Sequence, residues 1–142
     1  MPSTFRADTR VGLKALADAF KDDTDGLVQT YRNRPEDFAA TPCLYVGGIS
    51  EPRIVHTSGV RQRDLQVSTV LVDELSDNEE TADRLDILAD AWIDYLTANP
   101  RSISGDTLQT PVRSESVELS IGGVMYAAVE VTVLCQIQEG RV

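Results

Sequence analysis

The chain has 142 residues, 42% of them hydrophobic and 25% charged, with a formal net charge of −10. This length fits one domain with a real core, and the acidic balance excludes a protein that wraps nucleic acid by neutralising its phosphates. No apolar run approaches the roughly 20 residues of a membrane-spanning helix. The start, Met1-Pro2-Ser3-Thr4-Phe5-Arg6-Ala7-Asp8, has no apolar signal core, so the cytosol or an assembly built there is the expected place.

Residues 1–8 are expected to be a flexible N-terminus, with Asp8 or Thr9 capping a first helix over 9–21. Leu13, Leu16, Ala17 and Phe20 repeat at i, i+3, i+4, i+7 and define one apolar face. The run Asp22-Asp23-Thr24-Asp25-Gly26 ends that helix. Leu27–Tyr31 reads as a short strand, and Pro35 and Pro42 bracket a polar connection. Cys43–Val46 reads as a buried strand, Gly47-Gly48 as a turn or bulge, and Arg53–His56 as a further extended piece. After a polar turn over Gly59–Gln62, Arg63–Asp73 is a strong strand with apolar residues on both faces near its end, which points to a central position or to a second partner covering it.

Ser76 with Glu79 forms a capping box ahead of a second helix, whose stripe is Leu85, Leu88, Ala89, Trp92 and Leu96. Asn99-Pro100 stops it, and residues 101–111 are predicted to be a loop. Val117, Leu119 and Ile121 alternate with polar residues, as do Val129, Val131, Val133, Cys135 and Ile137. Between them Gly122-Gly123 is a two-residue hairpin turn. The fold class is therefore α+β, mostly antiparallel sheet with a C-terminal hairpin and two main helices. The second hairpin arm, about 124–138, is long enough to leave an edge open. Val124–Ile137 is expected to help join copies of the chain as well as to close the core.

No pattern marks a catalytic centre. His56 is the only histidine, and neither Ser58 nor Asp64 nearby is marked as its partner. Asp22, Asp23 and Asp25 superficially resemble a calcium loop but lack the ligand glutamate further on. Val46-Gly47-Gly48-Ile49 lacks the spacing of a phosphate cradle. Cys43 and Cys135 read as buried small hydrophobes, not as a disulfide or a metal pair. What remains is surface. Asp83, Asp86, Asp90 and Asp94 share one broad helical stripe, either a solvated face or an acidic wall toward a channel or partner. Ile87 lies on the same outward side. Arg53, Arg61 and Arg63 could pair with the acidic helix of a neighbouring copy, and Gly122, Gly123 and Val124 form a tip available for contacts.

Several segments carry a family resemblance: Arg34-Pro35-Glu36-Asp37-Phe38, Thr41-Pro42-Cys43-Leu44-Tyr45-Val46-Gly47, Ser58-Gly59-Val60-Arg61-Gln62-Arg63 and Asp77-Asn78-Glu79-Glu80 with Asp83-Arg84-Leu85-Asp86. Together with the order of elements, they resemble the tail terminator proteins of long-tailed bacteriophages, particularly those infecting actinobacteria. The resemblance covers most of residues 10–138. It implies a sheet with its helices packed on one side and a structural role without cofactor. The protein would form a six-fold ring at the tail–neck junction of the virion, assembled in the host cytoplasm. That ring would end polymerisation of the tail tube, dock a head-completion or stopper protein, and let DNA pass through its lumen without specific binding. Two other readings stay open from the sequence: a different neck component such as a stopper, and a small host enzyme or ligand-binding module.

Overall fold

The computed structural model describes residues 4–57, 59–75, 79–100 and 107–140 of the chain. The first helix, α1 (Phe5–Asp23), starts ahead of the predicted cap, with Thr4 at its N-cap. The Thr4 hydroxyl donates to the Asp8 carboxylate at 2.7 Å. Phe5 explains the early start. It is buried, and the Arg63 guanidinium lies 5.4 Å over its ring. Residues 5–8 are thus helix, not the flexible segment expected there, while 1–3 lie outside the described residues. The predicted face is the buried one: Leu13, Leu16, Ala17 and Phe20 all point inward.

Five strands follow: β1 (Gln29–Tyr31), β2 (Cys43–Thr57), β3 (Val60–Glu74), β4 (Leu108–Ile121) and β5 (Val124–Gly140), with α2 (Glu79–Ala98) between β3 and β4. They form one sheet in the order β1-β2-β3-β5-β4. Only the β1–β2 pair is parallel. The α+β class and the C-terminal hairpin are as the sequence predicts. In that hairpin Ile121 pairs with Val124. Gly122 and Gly123 take φ of 60° and 80°, the positive pair that a type I′ turn demands. The Ser76 end of the predicted capping box lies outside the described residues.

Three expectations are resolved. Gly47-Gly48 is the bulge of the two alternatives, not the turn. It sits in a register shift between Val46 and Ile49 inside one continuous strand, and a second shift falls at Ser50–Arg53. Neither glycine has positive φ. Gly47 instead allows a close approach of the strands, since a Cβ there would lie 3.2 Å from the Ser68 Cβ, tighter than an ordinary contact. Secondly, the predicted loop 101–111 is strand from Leu108 onward, and residues 101–106 lie outside the described residues. Gln109 pins this connection: its N–H donates to Pro100 O at 2.8 Å and its side-chain amide donates to Asn99 O. Thirdly, β5 is an inner strand over most of its length. It is paired to β3 over Tyr126–Gly140 and to β4 over Val124–Gln136, and among the described residues only its end, from Ile137 to Gly140, runs past β4. The open edge next to it belongs to β4.

Both helices pack on one face of the sheet, α1 on β1 and β2, α2 on β3, β5 and β4. Trp92, Phe20, Leu13, Leu44, Leu65, Leu71 and Leu96 fill this core. The opposite face carries a smaller core of Phe38, Cys43, Tyr45, Val70, Val72, Ile121 and Ala128. Phe38 comes from the connection between β1 and β2 and meets Tyr126 edge-on at 4.9 Å. The connection that reads as merely polar thus contributes Phe38 to the core of the second face.

Candidate functional site

The residues available for nucleophilic chemistry do not converge. His56 is exposed and stands opposite Arg61, whereas Asp64 stands opposite Arg53 on the other face of the sheet and accepts a 3.2 Å bond from Gln136 Nε2. Ser58 lies outside the described residues. Among the described residues no group of three His, Cys, Asp or Glu side chains could hold a metal ion. Cys43 and Cys135 are free and buried in different cores. Burial pushes both thiols up to about 12, with the Asp73 charge adding to the effect at Cys43.

A cleft of about 400 Å³ opens beside Gly47 and Gly48, lined by Arg10, Arg34, Tyr45, Ser68 and Glu130. Its two cations face backbone. Arg10 Nη1 donates to Gly47 O at 2.8 Å, to Val46 O at 3.3 Å and to Arg32 O at 3.4 Å. Arg34 Nη2 reaches Ser120 O at 3.4 Å. Arg10 thereby takes up carbonyls on the outer edge of β2 where β1 stops.

The distinctive feature is the pair of sheet edges. β1 covers only Cys43–Tyr45 of β2, and beyond the Arg10 contacts no strand among the described residues pairs with the outer side of β2 from Gly48 to Thr57. At the other end β4 is the last strand, unpaired on its outer side among the described residues over 14 positions. Both edges carry devices that discourage indiscriminate pairing: Pro52 and two register shifts on β2, Pro111 and a shift before Arg113 on β4. From Arg113 to Ile121 the β4 ladder is regular.

The sequence-predicted contact residues distribute as follows. Asp83, Asp86, Asp90 and Asp94 are all exposed on the outer side of α2. Ile87 is 68% exposed among them. At about 100° per residue, positions 83, 87, 90 and 94 lie on one line, so the isoleucine is ringed by acid. Asp86 and Asp90 also border a groove of about 270 Å³ between α2 and β4, with Ser114, Glu115, Ser116 and Ile93. Gly122, Gly123 and Val124 are exposed at the hairpin tip, and Arg53 is exposed on β2. Arg61 is half-buried.

Arg63 is corrected: it turns inward instead of outward. It is buried, forks onto Glu51 at 2.7 and 2.9 Å and covers Phe5. The Arg63 hydrogen bond, with further help from Arg6, holds the Glu51 carboxyl below the usual range against the opposing effect of burial. The sequence shows Arg63 among basic neighbours, and the only cue to its inward turn is that it shares a face with Leu65 and Val67.

No protein-family model matches the chain, and no curated protein matches it.

Proposed function

We propose that this chain is a structural subunit that assembles head-to-tail into a ring at the end of a bacteriophage tail tube, as a tail terminator does. The observation that carries this reading is the sheet with two open edges on opposite sides, one beneath α1 and the other beneath α2. A subunit with two different contact surfaces forms a closed ring or a filament, whereas a self-complementary patch stops at a dimer. The family resemblance of the segments at 34–47, 58–63 and 77–86 selects the ring at a tail end from such assemblies. An acidic surface also suits a channel that DNA traverses without sticking, because like charge denies the phosphates a binding site.

The test is electron microscopy of the purified chain mixed with tubes of its phage's tail tube protein. The reading expects a ring at one tube end and arrested elongation. Tubes that stay bare and keep growing in the presence of the chain would overturn it.

A further inference from the structure

The two sides of the sheet differ in chemistry in a way that makes them complementary. On the α2–β4 side, Ile87 is 68% and Val112 49% exposed. Ile87 lies among the exposed Asp83, Asp86 and Asp90, and Arg113 on β4 is paired with Glu115 at 2.7 Å. The sole basic residue of α2, Arg84, is engaged elsewhere, with its Nη2 2.7 Å from the Asp73 carboxylate. On the β2 side, Ile54 is 47% exposed. Its neighbour Arg53 is exposed too, and Arg6 lies nearby with its side chain half-exposed beyond Glu51.

Building on the ring reading above, we propose that the acid-ringed Ile87 face of α2 and the adjoining edge of β4 dock the Arg53–Ile54 edge of β2 from a second copy of this chain. Each side offers an exposed branched aliphatic residue, beside the four exposed aspartates of α2 on one side and beside the exposed Arg53 on the other, so the prevailing signs are opposite; Arg113 on β4 is paired with Glu115, and Glu51 on β2 with Arg6 and Arg63. Within one chain the two surfaces cannot meet, because three strands, β3, β5 and β4, separate β2 from the outer edge of the sheet. Pairing of the α2–β4 side with its own equivalent would set the aspartate stripe against itself, and like charge across an interface suppresses that arrangement. Complementarity therefore selects the head-to-tail contact over the symmetric one. The bulges and Pro52 on β2 keep its backbone from pairing along a full ladder, so side-chain charge and the two isoleucines specify the contact.

The experiment is sedimentation velocity on the wild type, on Asp90→Lys, on Arg53→Glu and on an equimolar mixture of the two variants, all at low salt. Both positions are exposed, and circular dichroism checks that each variant is folded. Asp86→Lys replaces Asp90→Lys should the latter not fold. The wild type is expected to self-associate, and each variant alone to lose at least tenfold in affinity. The mixture is expected to regain association. In it, one interface sets the two reversed positions against each other and the next keeps Asp90 against Arg53. A wild type that stays monomeric up to about 1 mM, variants that associate like the wild type, or a mixture that stays dissociated would each overturn the interface. Tube capping decides the ring separately: if chains with either substitution still capped tubes, this interface would fall and the ring would stand.

Discussion

Trp92 Nε1 donates a 2.9 Å hydrogen bond to Thr69 Oγ1, and that hydroxyl donates in turn to Val131 O at 2.7 Å. All three residues are fully buried. The relay joins α2, β3 and β5 at the centre of the main core and satisfies an indole N–H that would otherwise be stranded there. Thr69→Val keeps the shape and removes the acceptor, so it should cost about 1–3 kcal/mol in urea unfolding. Trp92→Phe removes the donor together with packing. Thr69→Val combined with Trp92→Phe should cost less than the two separate losses added, because the second change has no bond left to break. Strict additivity would mean that the bond contributes nothing.

Asp73 ties the same helix to the sheet near the end of β3. Its side chain is fully buried, accepts from Arg84 Nε at 2.9 Å and receives the Glu74 N–H at 2.8 Å. Arg84 is half-exposed, so water compensates part of its removal. Arg84→Met should cost about 1–2 kcal/mol, and Asp73→Ala, which also abandons the backbone N–H, should cost more. Thermal unfolding of the two variants ranks them, and the reverse order would show that the guanidinium, not the carboxylate, holds the end of β3.

What the sequence reveals of this protein follows from which forces act locally. The stripes of α1 and α2, the β3 alternation and the Gly122-Gly123 turn are readable because each is set by periodicity or by one backbone requirement. The position of β5 is not. Alternation tells which residues face the core, but it is silent on which strand lies beside which, so a long second arm reads equally as an edge or as a centre. Arg63 is similar: its charge says surface, while its register beside Leu65 and its fork onto Glu51, 12 residues away, place it inside. Of the contact surfaces, the α2 stripe is legible because a helix face repeats locally. The open edge of β4 emerges only from the strand order.

Glu51 makes the stability of the β2–α1 region depend on pH. Its folded pKa lies below the ordinary value of 4.5, chiefly through the Arg63 hydrogen bond. A lowered carboxyl contributes stability that is fully present above the unfolded value and is lost as pH falls through the folded one. Acidification below about 4.5 should therefore weaken the wild type progressively. Glu51→Gln should be less stable than the wild type at neutral pH, and the gap should narrow as pH falls through the lowered range. Denaturation midpoints measured across that range test this, and a gap that widened on acidification would refute the assignment.

The hairpin tip can be changed with little effect on the fold, which makes it a place to test the proposed assembly. Gly122 and Gly123 hold φ of 60° and 80° with nothing near their missing Cβ positions, so conformation alone limits substitution. Gly123→Val should cost about 1–3 kcal/mol through backbone strain, and Gly122→Asn much less, since asparagine tolerates that region. Val131→Pro should abolish folding, because Val131 is fully buried and paired on both sides, to Thr69 and Ser114. Val124→Ser, at a position 51% exposed, should leave stability within about 0.5 kcal/mol. It can therefore be scored for tube capping without confusion from misfolding.

The two thiols report on the whole fold. Cys43 lies in the Phe38 core and Cys135 in the Trp92 core, each fully buried, and burial raises both to about 12. Only about one thiol in 10,000 would be ionised at pH 8, and the thiolate is the nucleophile. A disulfide-exchange reagent should thus leave both cysteines untouched in the folded protein and modify both in denaturant. In intermediate urea their labelling rates distinguish one cooperative unit from two. The two cores share the β2–β3–β5 sheet, with Cys43 beside Leu44 of the opposite face, so both thiols should become reactive at the same denaturant concentration. If Cys43 became reactive first, the Phe38 connection would open independently of the helical layer. Because this connection carries part of the segment that resembles tail terminators, such opening would make it, rather than the helix face, the part of the chain free to rearrange on assembly.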